Sequence, residues 1–189
     1  KNILKIIKLN IKHDKKYDHL LRIASNKYMI SISLRKRLKI NKNFILKLVN
    51  YKRVDPEYKN LKYKKILYHL KKLNTNKYDI ALFKKNRILE TGTSNLLFIR
   101  GKQVFSPIKN FYKGTTLNFF SKKINIRKKN IHIDSLNIFN EIIIVGSGKG
   151  VVSVKSIKNT DWKRKSLNYY RILSKIYNKA VANCVRYNG

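Results

Sequence analysis

Two short segments of the sequence are rich in small residues and hydroxyls and could bind an anion. The first is Gly146-Ser147-Gly148-Lys149-Gly150, which lies between two β-branched runs and presents backbone N–H groups and one hydroxyl in a tight turn. The second is Thr115-Thr116, where a helix is predicted to begin and free N–H groups accompany two hydroxyls. Taken alone, the first segment is better explained as a tight β-turn without a ligand.

The glycine-rich segment does not match the nucleotide-binding P-loop, which needs Gly, four residues, Gly, Lys and then Ser or Thr. Ile143 stands in the place of the first glycine, and Gly150 stands in the place of the hydroxyl residue. The next residues also predict a strand, whereas a P-loop leads into a helix whose N-terminus faces the phosphate. The segment therefore indicates an anion site at most.

Four segments together are more informative than either anion site. They are Pro56-Glu57-Tyr58-Lys59-Asn60-Leu61-Lys62-Tyr63, Glu90-Thr91-Gly92-Thr93-Ser94-Asn95-Leu96-Leu97-Phe98, Ser106-Pro107 with the later Lys113-Gly114-Thr115-Thr116, and Phe139-Asn140-Glu141-Ile142-Ile143-Ile144-Val145-Gly146-Ser147. In this order and at nearly these intervals, they resemble the class IV family of pyridoxal-phosphate enzymes. That family groups branched-chain and D-amino-acid aminotransferases with aminodeoxychorismate lyase. The resemblance covers about residues 20–182, and its most specific part is Glu90 followed by Asn95.

The resemblance implies that Lys59 is the Schiff-base lysine that carries pyridoxal 5'-phosphate. The segment from Lys59 to Tyr63 matches a Lys-x-Leu-Asn-Tyr-like segment of the family, with Lys62 in place of the asparagine. Lys62 is the alternative, and Lys59 is preferred because it keeps the Leu and the Tyr two and four residues later. A lysine in this role is displaced by the substrate amine and then moves the Cα proton as a neutral base.

The same resemblance implies roles for other residues in cofactor binding. Glu90 would face the pyridine nitrogen, where a carboxylate keeps the ring protonated so that electrons left at Cα enter the ring. Thr115, Thr116 and Ser147 would bind the phosphate through hydroxyls and backbone N–H groups. The candidates beside the ring are Thr93, Ser94 and Asn95, which could equally form a hydroxyl-rich turn without a ligand. No metal site is expected.

The resemblance also implies the fold. We expect an α+β, fold-type IV chain with a C-terminal pseudo-barrel of mostly antiparallel strands and helices, and a truncated small N-terminal α/β domain. We place the boundary at Val54-Asp55-Pro56, because proline removes a hydrogen-bond donor and disfavours helix before it. Residues 1–55 would be the remnant of the small domain and residues 56–189 the large cofactor-binding domain. The family pairs as homodimers, so we expect a dimer.

Some features depart from the family pattern. The family's phosphate-binding arginine lies well upstream, and Arg22 is too close to Lys59 for that role. The chain also begins without Met, so we expect an upstream part to be missing. Val152-Ser153 replaces the usual Thr-Pro after the glycine-rich turn.

Two reactions fit this set of residues. Gly146-Ser147 looks like the aminotransferases, whereas Ser147-Gly148-Lys149-Gly150 resembles the Ser-x-Arg-Gly of many aminodeoxychorismate lyases. We expect an aminotransferase that acts on branched-chain-like amino acids and keto acids. The alternative is a 4-amino-4-deoxychorismate lyase of the folate pathway, which would release pyruvate from its substrate.

The composition suggests a different class of partner. The formal net charge is +36, from 45 Lys and Arg against 9 Asp and Glu, and such a balance is typical of nucleic-acid binding. The lysines are nevertheless spread along the chain, and no segment concentrates arginine and aromatic residues. A basic nucleic-acid-binding module without a cofactor is therefore a distant alternative, and we do not favour it.

Two features that the sequence lacks bear on where the protein is located. The single cysteine, Cys184, excludes an internal disulfide and a multi-cysteine metal site. No apolar run approaches the roughly 20 residues that span a bilayer. We therefore expect a cytoplasmic protein without a membrane partner.

Hydrophobic periodicity predicts the elements that position the candidate residues. Strands are predicted at residues 20–24, 28–34, 44–50, 78–83, 87–90, 95–100, 103–105, 141–145 and 151–156, and helices at 1–10, 61–73, 115–122 and 165–182. Short turns separate the four strands between residues 78 and 105, which favours antiparallel pairing of each with the next. Lys59 should thus precede a helix, Glu90 should end a strand, and Ser147 should lie between two strands.

Overall fold

The computed structural model describes Lys5 and residues 19–36, 39–41 and 43–184. The elements in chain order are β1 (His19–Ser25), β2 (Ile30–Lys36), β3 (Phe44–Asn50), α1 (Lys64–Lys71), β4 (Tyr78–Lys84), β5 (Arg87–Thr91), β6 (Asn95–Arg100), β7 (Gln103–Ser106), α2 (Thr115–Ser121), β8 (Ile126–Lys128), β9 (Ile131–His132), a 3-10 helix (Ile133–Ile138), β10 (Glu141–Gly146), β11 (Gly150–Lys158) and α3 (Asn168–Ala182). Within these residues, no helix is long and apolar enough to cross a membrane.

Nine of the strands form one mixed sheet, in the order β8-β7-β6-β10-β11-β3-β4-β5-β9. β3 pairs in parallel with both β11 and β4, and β7 pairs in parallel with β8, whereas the other neighbours are antiparallel. A turn of three residues, 92–94, joins β5 to β6, although four strands stand between these two in the sheet. The sheet must therefore curve strongly, as in a pseudo-barrel.

The apolar run of β10 shows why this sheet is buried on both faces. Successive side chains of a strand point to opposite sides. Ile142 and Ile144 accordingly join a cluster with Phe98 and Trp162, to which strands from both halves of the sheet contribute. Ile143 and Val145 join a second cluster that includes residues of α2 and α3. A third cluster packs α1 against β3 and β4. Burial of each such side chain contributes roughly 1.5–3 kcal/mol.

β1 and β2 form a separate antiparallel hairpin, paired from His19 with Lys36 to Ser25 with Ile30. Arg22 Nη2 donates a hydrogen bond of 3.1 Å to the hydroxyl of Tyr63. Leu20 lies beside Gly148, since a methyl group on that glycine would lie 3.4 Å from Leu20 Cδ1. Alternate residues of β1 thus face the turn before α1 and the turn between β10 and β11.

The predicted α+β fold-type IV architecture is confirmed, with differences in detail. The expected antiparallel meander is wrong at one step, because β5 and β6 are not neighbours in the sheet. β8, β9 and the 3-10 helix were not predicted. β3 precedes the predicted domain boundary, yet it pairs inside the nine-stranded sheet, so its hydrogen bonding would place a boundary before β3. The helix predicted at residues 1–10 lies, except for Lys5, outside the described residues.

Candidate active site

Glu90 is a buried carboxylate near the end of β5, with 2% of its surface exposed. Arg53 Nε donates to Glu90 Oε1 at 3.0 Å, and the backbone N–H of Tyr112 donates a longer bond of 3.4 Å to Oε2. Burial raises the pKa of Glu90 to about 7, and the positive charge of Arg53 opposes that rise only in part. A carboxyl group that titrates near neutral pH is typical of a functional site.

The turn after β5 is held closed by the buried hydroxyl of Thr91. This hydroxyl donates to the carbonyl of Ser94 at 3.0 Å and accepts from the Ser94 N–H at 2.8 Å. Gly92 donates from its N–H to the carbonyl of Ile80, and a methyl group at Gly92 would lie 2.9 Å from Ile80 Cγ1. Glycine is therefore required at this position, and the turn holds Ser94 in a fixed place.

The turn between β10 and β11 lies directly against Ser94. A methyl group at Gly146 would lie 2.5 Å from Ser94 Oγ, far inside van der Waals contact. A backbone hydrogen bond of 3.2 Å from the Lys149 N–H to the Gly146 carbonyl closes the turn. Gly150 has a φ of +70°, a conformation that other residues rarely adopt. Ser147 is exposed at the tip of this turn.

Asn95 at the start of β6 fixes the segment before α2. Its side-chain amide donates to the carbonyl of Tyr112 at 2.7 Å, and its side-chain oxygen accepts from the Gly114 N–H at 3.0 Å. These bonds place the first two residues of α2, of which Thr116 is buried and Thr115 is exposed. Asn95 therefore positions the threonines.

The segment from Asp55 to Lys62 is a loop organised by Asn60. The Asn60 side-chain amide donates to the carbonyls of Val54 and Asp55, both at 3.1 Å, and its oxygen accepts from the Lys62 N–H at 2.9 Å. Lys62 makes an exposed ion pair of 2.9 Å with Asp55. Lys59 is also exposed, but it lines a cleft that contains Glu90, whereas Lys62 lines a different, shallow surface region.

All seven predicted site residues line one cleft of about 140 Å³, which we call the Glu90 cleft. They are Lys59, Glu90, Ser94, Asn95, Thr115, Thr116 and Ser147, and they share the cleft with Arg53, Gly92, Thr93, Tyr112, Gly114, Val145 and Gly146. A second cavity of about 420 Å³ is larger but contains none of the seven. We regard the smaller cleft as the candidate site because it joins a lysine, a carboxylate and hydroxyls.

Arg53 and Tyr112 are the cleft residues that sequence reasoning missed. Arg53 stands three residues before Pro56 in a chain with 45 Lys and Arg, so nothing in its position distinguishes it from other cations. Its role depends on the fold, which brings the residues after β3 beside the end of β5. Tyr112 contacts Glu90 through its backbone N–H, and any residue except proline could donate that bond, so the residue type does not predict it.

The cleft combines groups that can bind an anion with a buried carboxylate and a lysine amine. Hydroxyls and backbone N–H groups of the β10–β11 turn and of α2 can bind an anion. The Glu90 carboxylate can bind a protonated ring nitrogen, and the Lys59 amine can act as nucleophile and base. The described residues contain no cluster of three or more His, Cys, Asp or Glu that could hold a metal.

A family model described as amino-transferase class IV matches residues 1–157. Among solved structures, a proposed 4-amino-4-deoxychorismate lyase from Legionella pneumophila is similar with a TM-score of 0.72 and 17% identity, over 94% of this chain and 74% of that one. A branched-chain aminotransferase from Thermoproteus uzoniensis, solved with norvaline, is similar with a TM-score of 0.67 and 14% identity, over 80% of this chain and 56% of that one. An aminotransferase from Brucella abortus bound to PLP is similar with a TM-score of 0.61 and 17% identity, over 82% of this chain and 59% of that one.

These similarities at low identity show a shared fold. The chain spans 56% to 74% of the length of these three proteins. No curated protein matches it.

Proposed function

The chain belongs to the class IV aminotransferase family, and on that basis we propose that the Glu90 cleft holds pyridoxal 5'-phosphate on Lys59. The observation that carries this proposal is the meeting of all seven predicted residues in a single cleft. They come from four segments separated by up to 88 positions, between Lys59 and Ser147. A set of chemically matched residues drawn together from such distances favours a common ligand.

The residues of the cleft fit this cofactor on structural grounds. The Glu90 carboxylate is buried, and its pKa of about 7 would fall beside a cationic ring nitrogen, because an opposite charge stabilises the ionised form. Gly146 lets the β10–β11 turn lie directly against Ser94, because a side chain at this position would overlap the Ser94 hydroxyl, and the turn thereby keeps Ser147 at the edge of the Glu90 cleft. Ser147, Thr115 and Thr116 supply the hydroxyls that a phosphate accepts from.

Each residue has a defined task in the proposed reaction. When bound, the cofactor would supply a ring that accepts the electron pair left at the substrate Cα. Lys59 Nζ would hold the cofactor before the substrate arrives and would then take the proton from Cα. Glu90 would keep the proton on the ring nitrogen, and Arg53 would hold the Glu90 carboxylate in place through its hydrogen bond to Oε1. Ser147, Thr115 and Thr116 would anchor the phosphate.

We favour transamination of branched-chain-like amino acids as the reaction. A lyase that acts on 4-amino-4-deoxychorismate is the second candidate, favoured by the 94% coverage of this chain by the Legionella structure. Both reactions need the same proton transfer by Lys59, and they differ in whether the substrate then loses its amino group or a leaving group. A homodimer in the cytoplasm, with no nucleic-acid partner, completes the proposal.

The test is the visible absorbance of the 189-residue chain mixed with pyridoxal 5'-phosphate. We expect a band at about 410–430 nm, the usual range for this cofactor bound to a lysine. Lys59→Ala should abolish the band, and Lys62→Ala should keep it. Loss of the band only in Lys62→Ala would move the attachment site, and no band in the unaltered chain would contradict the proposal.

Product analysis separates the two reactions. Amination of branched-chain keto acids should be detected, and release of pyruvate from 4-amino-4-deoxychorismate should not. Pyruvate release without amination would reverse our choice. RNA binding with steep salt dependence and no cofactor uptake would support a nucleic-acid-binding protein instead.

A further inference from the structure

A buried ion pair beside the Glu90 cleft has no part in the proposed reaction. Lys149 Nζ contacts Asp79 Oδ2 directly, and only 7% of the Lys149 side chain and none of the Asp79 side chain is exposed. The ammonium group also lies 5.2 Å from the centre of the Phe44 ring. Lysine is rarely buried, because an ammonium group loses its hydration unless a partner replaces it. The chain has only 9 acidic residues against 45 Lys and Arg, so the burial of one aspartate in an ion pair requires an explanation.

Asp79 connects this ion pair to the wall of the cleft. Its Oδ2 also accepts a hydrogen bond of 3.1 Å from the hydroxyl of Thr93, which lines the cleft in the turn after β5. Its Oδ1 accepts from the N–H of Ile80 at 2.7 Å, which fixes the carboxylate against the backbone of β4. Both carboxylate oxygens are thus occupied, and the carboxylate has little freedom to turn.

Lys149 connects the same carboxylate to the opposite turn. It lies two residues after Ser147, and its N–H bonds to the Gly146 carbonyl. The side chain of Lys149 leaves the turn and ends in the interior, so the turn is attached to β4 at this point. Asp79 therefore joins the turn after β5, through Thr93, to the turn between β10 and β11, through Lys149.

We propose that Asp79 and Lys149 are positioning residues, and that their ion pair holds the β10–β11 turn where Ser147 and the neighbouring N–H groups meet the cofactor phosphate. This inference rests on the proposed function, because the phosphate is that of pyridoxal 5'-phosphate. The direct contact between Gly146 and Ser94 holds one end of the turn, and Lys149 holds the other. Without the ion pair, the turn would keep the pairing of Gly146 with Gly150 and the contact of Gly146 with Ser94, but it would lose its attachment to β4.

The ion pair has a consequence that simple stabilisation would not produce. A buried ion pair can often be replaced by apolar residues with little change in overall stability. The position of the turn would change all the same. Because Asp79→Asn keeps a side-chain oxygen that can accept from the Thr93 hydroxyl, the effect should fall on the phosphate rather than on the ring. Affinity for pyridoxal 5'-phosphate should therefore fall, while affinity for pyridoxal, which lacks the phosphate, should not.

The first experiment needs no cofactor. Hydrogen–deuterium exchange is measured on the peptide that covers residues 144–152, in the unaltered chain, in Lys149→Met and in the double variant Asp79→Asn with Lys149→Met. The double variant leaves no unpaired buried charge. We expect faster exchange in both variants and unchanged exchange in Lys62→Met, which removes a lysine from an exposed ion pair. Unchanged exchange in the double variant would overturn the inference.

The second experiment compares the two ligands by equilibrium dialysis of the 189-residue chain. For the double variant, we expect affinity for pyridoxal 5'-phosphate to fall about tenfold or more, which is the size of effect seen when residues that orient a ligand-binding group are lost. Affinity for pyridoxal should not change, because pyridoxal has no phosphate to bind the displaced turn. Lys149→Arg, which keeps the charge, should recover part of the loss.

The outcomes separate this inference from the proposed function. If the unaltered chain binds neither ligand, the proposed function fails. If it binds pyridoxal 5'-phosphate and the double variant binds equally well, only the role of Asp79 and Lys149 fails. An equal loss of both ligands would also overturn it, because that result indicates general destabilisation of the cleft.

Discussion

Arg53 and Glu90 form an ion pair across 3.0 Å, with only 13% and 3% of their side chains exposed. The pair joins the segment after β3 to the end of β5. Burial favours the neutral form of the carboxyl group and the nearby guanidinium favours the charged form, with burial the stronger, so the pKa of Glu90 rises to about 7. The protonation of Glu90 should therefore respond to Arg53 near neutral pH.

The first prediction concerns the titration of Glu90. The chain has three glutamates, so carboxyl-labelled glutamate should give three resolvable ¹³C NMR signals, of which Glu90 titrates near pH 7. Arg53→Ala should raise the pKa of Glu90 further, because the opposing positive charge is removed. Arg53→Lys should restore part of the original value.

Arg100→Ala removes an exposed arginine at the end of β6 and serves as the control. It should leave the Glu90 signal unchanged. A Glu90 pKa that is the same in Arg53→Ala and in the unaltered chain would show that the ion pair has no influence on this carboxyl group.

The second prediction concerns stability as a function of pH. The pKa of Glu90 is about 7 in the folded chain and near its ordinary 4.5 in the unfolded chain. The unfolded state therefore loses its proton first, and the Glu90 contribution to the free energy of unfolding declines as the pH rises from about 4.5 to about 7. At about 1.4 kcal/mol per pKa unit, a rise from 4.5 to about 7 gives a decline of at most roughly 3–4 kcal/mol.

Urea unfolding at several pH values, compared with Glu90→Gln, isolates this contribution. The free energy of unfolding of the unaltered chain minus that of Glu90→Gln should decrease over this window and be constant above about pH 8. A difference that increases with pH would mean that the carboxylate is stabilised as an anion by Arg53 more than it is destabilised by burial.

The third prediction concerns the contact between the two turns of the cleft. Gly146→Ala should lower the free energy of unfolding by roughly 1–3 kcal/mol, because its methyl group would overlap Ser94. Adding Ser94→Gly should recover much of the loss, since the nearest remaining atom would be the Cα of residue 94 at 3.6 Å. Gly148→Ala, with its nearest neighbour at 3.4 Å, should have a much smaller effect. Equal losses in Gly146→Ala and Gly148→Ala would contradict this account.

The fourth prediction concerns the start of α3. Leu167 precedes the helix and provides no side-chain cap, but the buried Glu141 carboxylate accepts from the N–H groups of Tyr169 and Tyr170, each at 2.9 Å. Glu141→Gln replaces one acceptor with a donor, so we expect a loss of about 1–3 kcal/mol in the free energy of unfolding. Amide exchange in α3 should also become faster. Glu57→Gln, at an exposed site, should change neither quantity.

Much of the secondary structure could be predicted because periodicity and turn residues act locally. The strand predicted at residues 44–50 is β3, and the strand predicted at 95–100 is β6. The sequence of β10 indicates burial on both faces, since it lacks polar residues between Glu141 and Gly146. α3 begins three residues later than predicted because its first N–H groups are bonded to Glu141, which lies 27 positions before Asn168.

The sheet order could not be predicted in the same way. The short turn between β5 and β6 has the length of a hairpin, but Thr91 and Gly92 redirect the chain, so the two strands separate. Parallel pairing of β3 with β11 joins residues more than 100 positions apart and leaves no local pattern. The candidate site residues were found through the family resemblance, whereas Arg53, Asp79 and Lys149 depend on contacts that only the fold reveals.

The most direct test of the whole account is to locate the lysine that binds the cofactor. The chain is mixed with an equimolar amount of pyridoxal 5'-phosphate, reduced with borohydride, digested and mapped by mass spectrometry. The same procedure on Lys59→Arg measures how much label the other lysines take up. We predict that the modified peptide carries the label on Lys59, that Lys62→Arg keeps this label, and that Lys59→Arg loses it. A label on another lysine, or equal labelling of Lys59→Arg, would contradict the central claim.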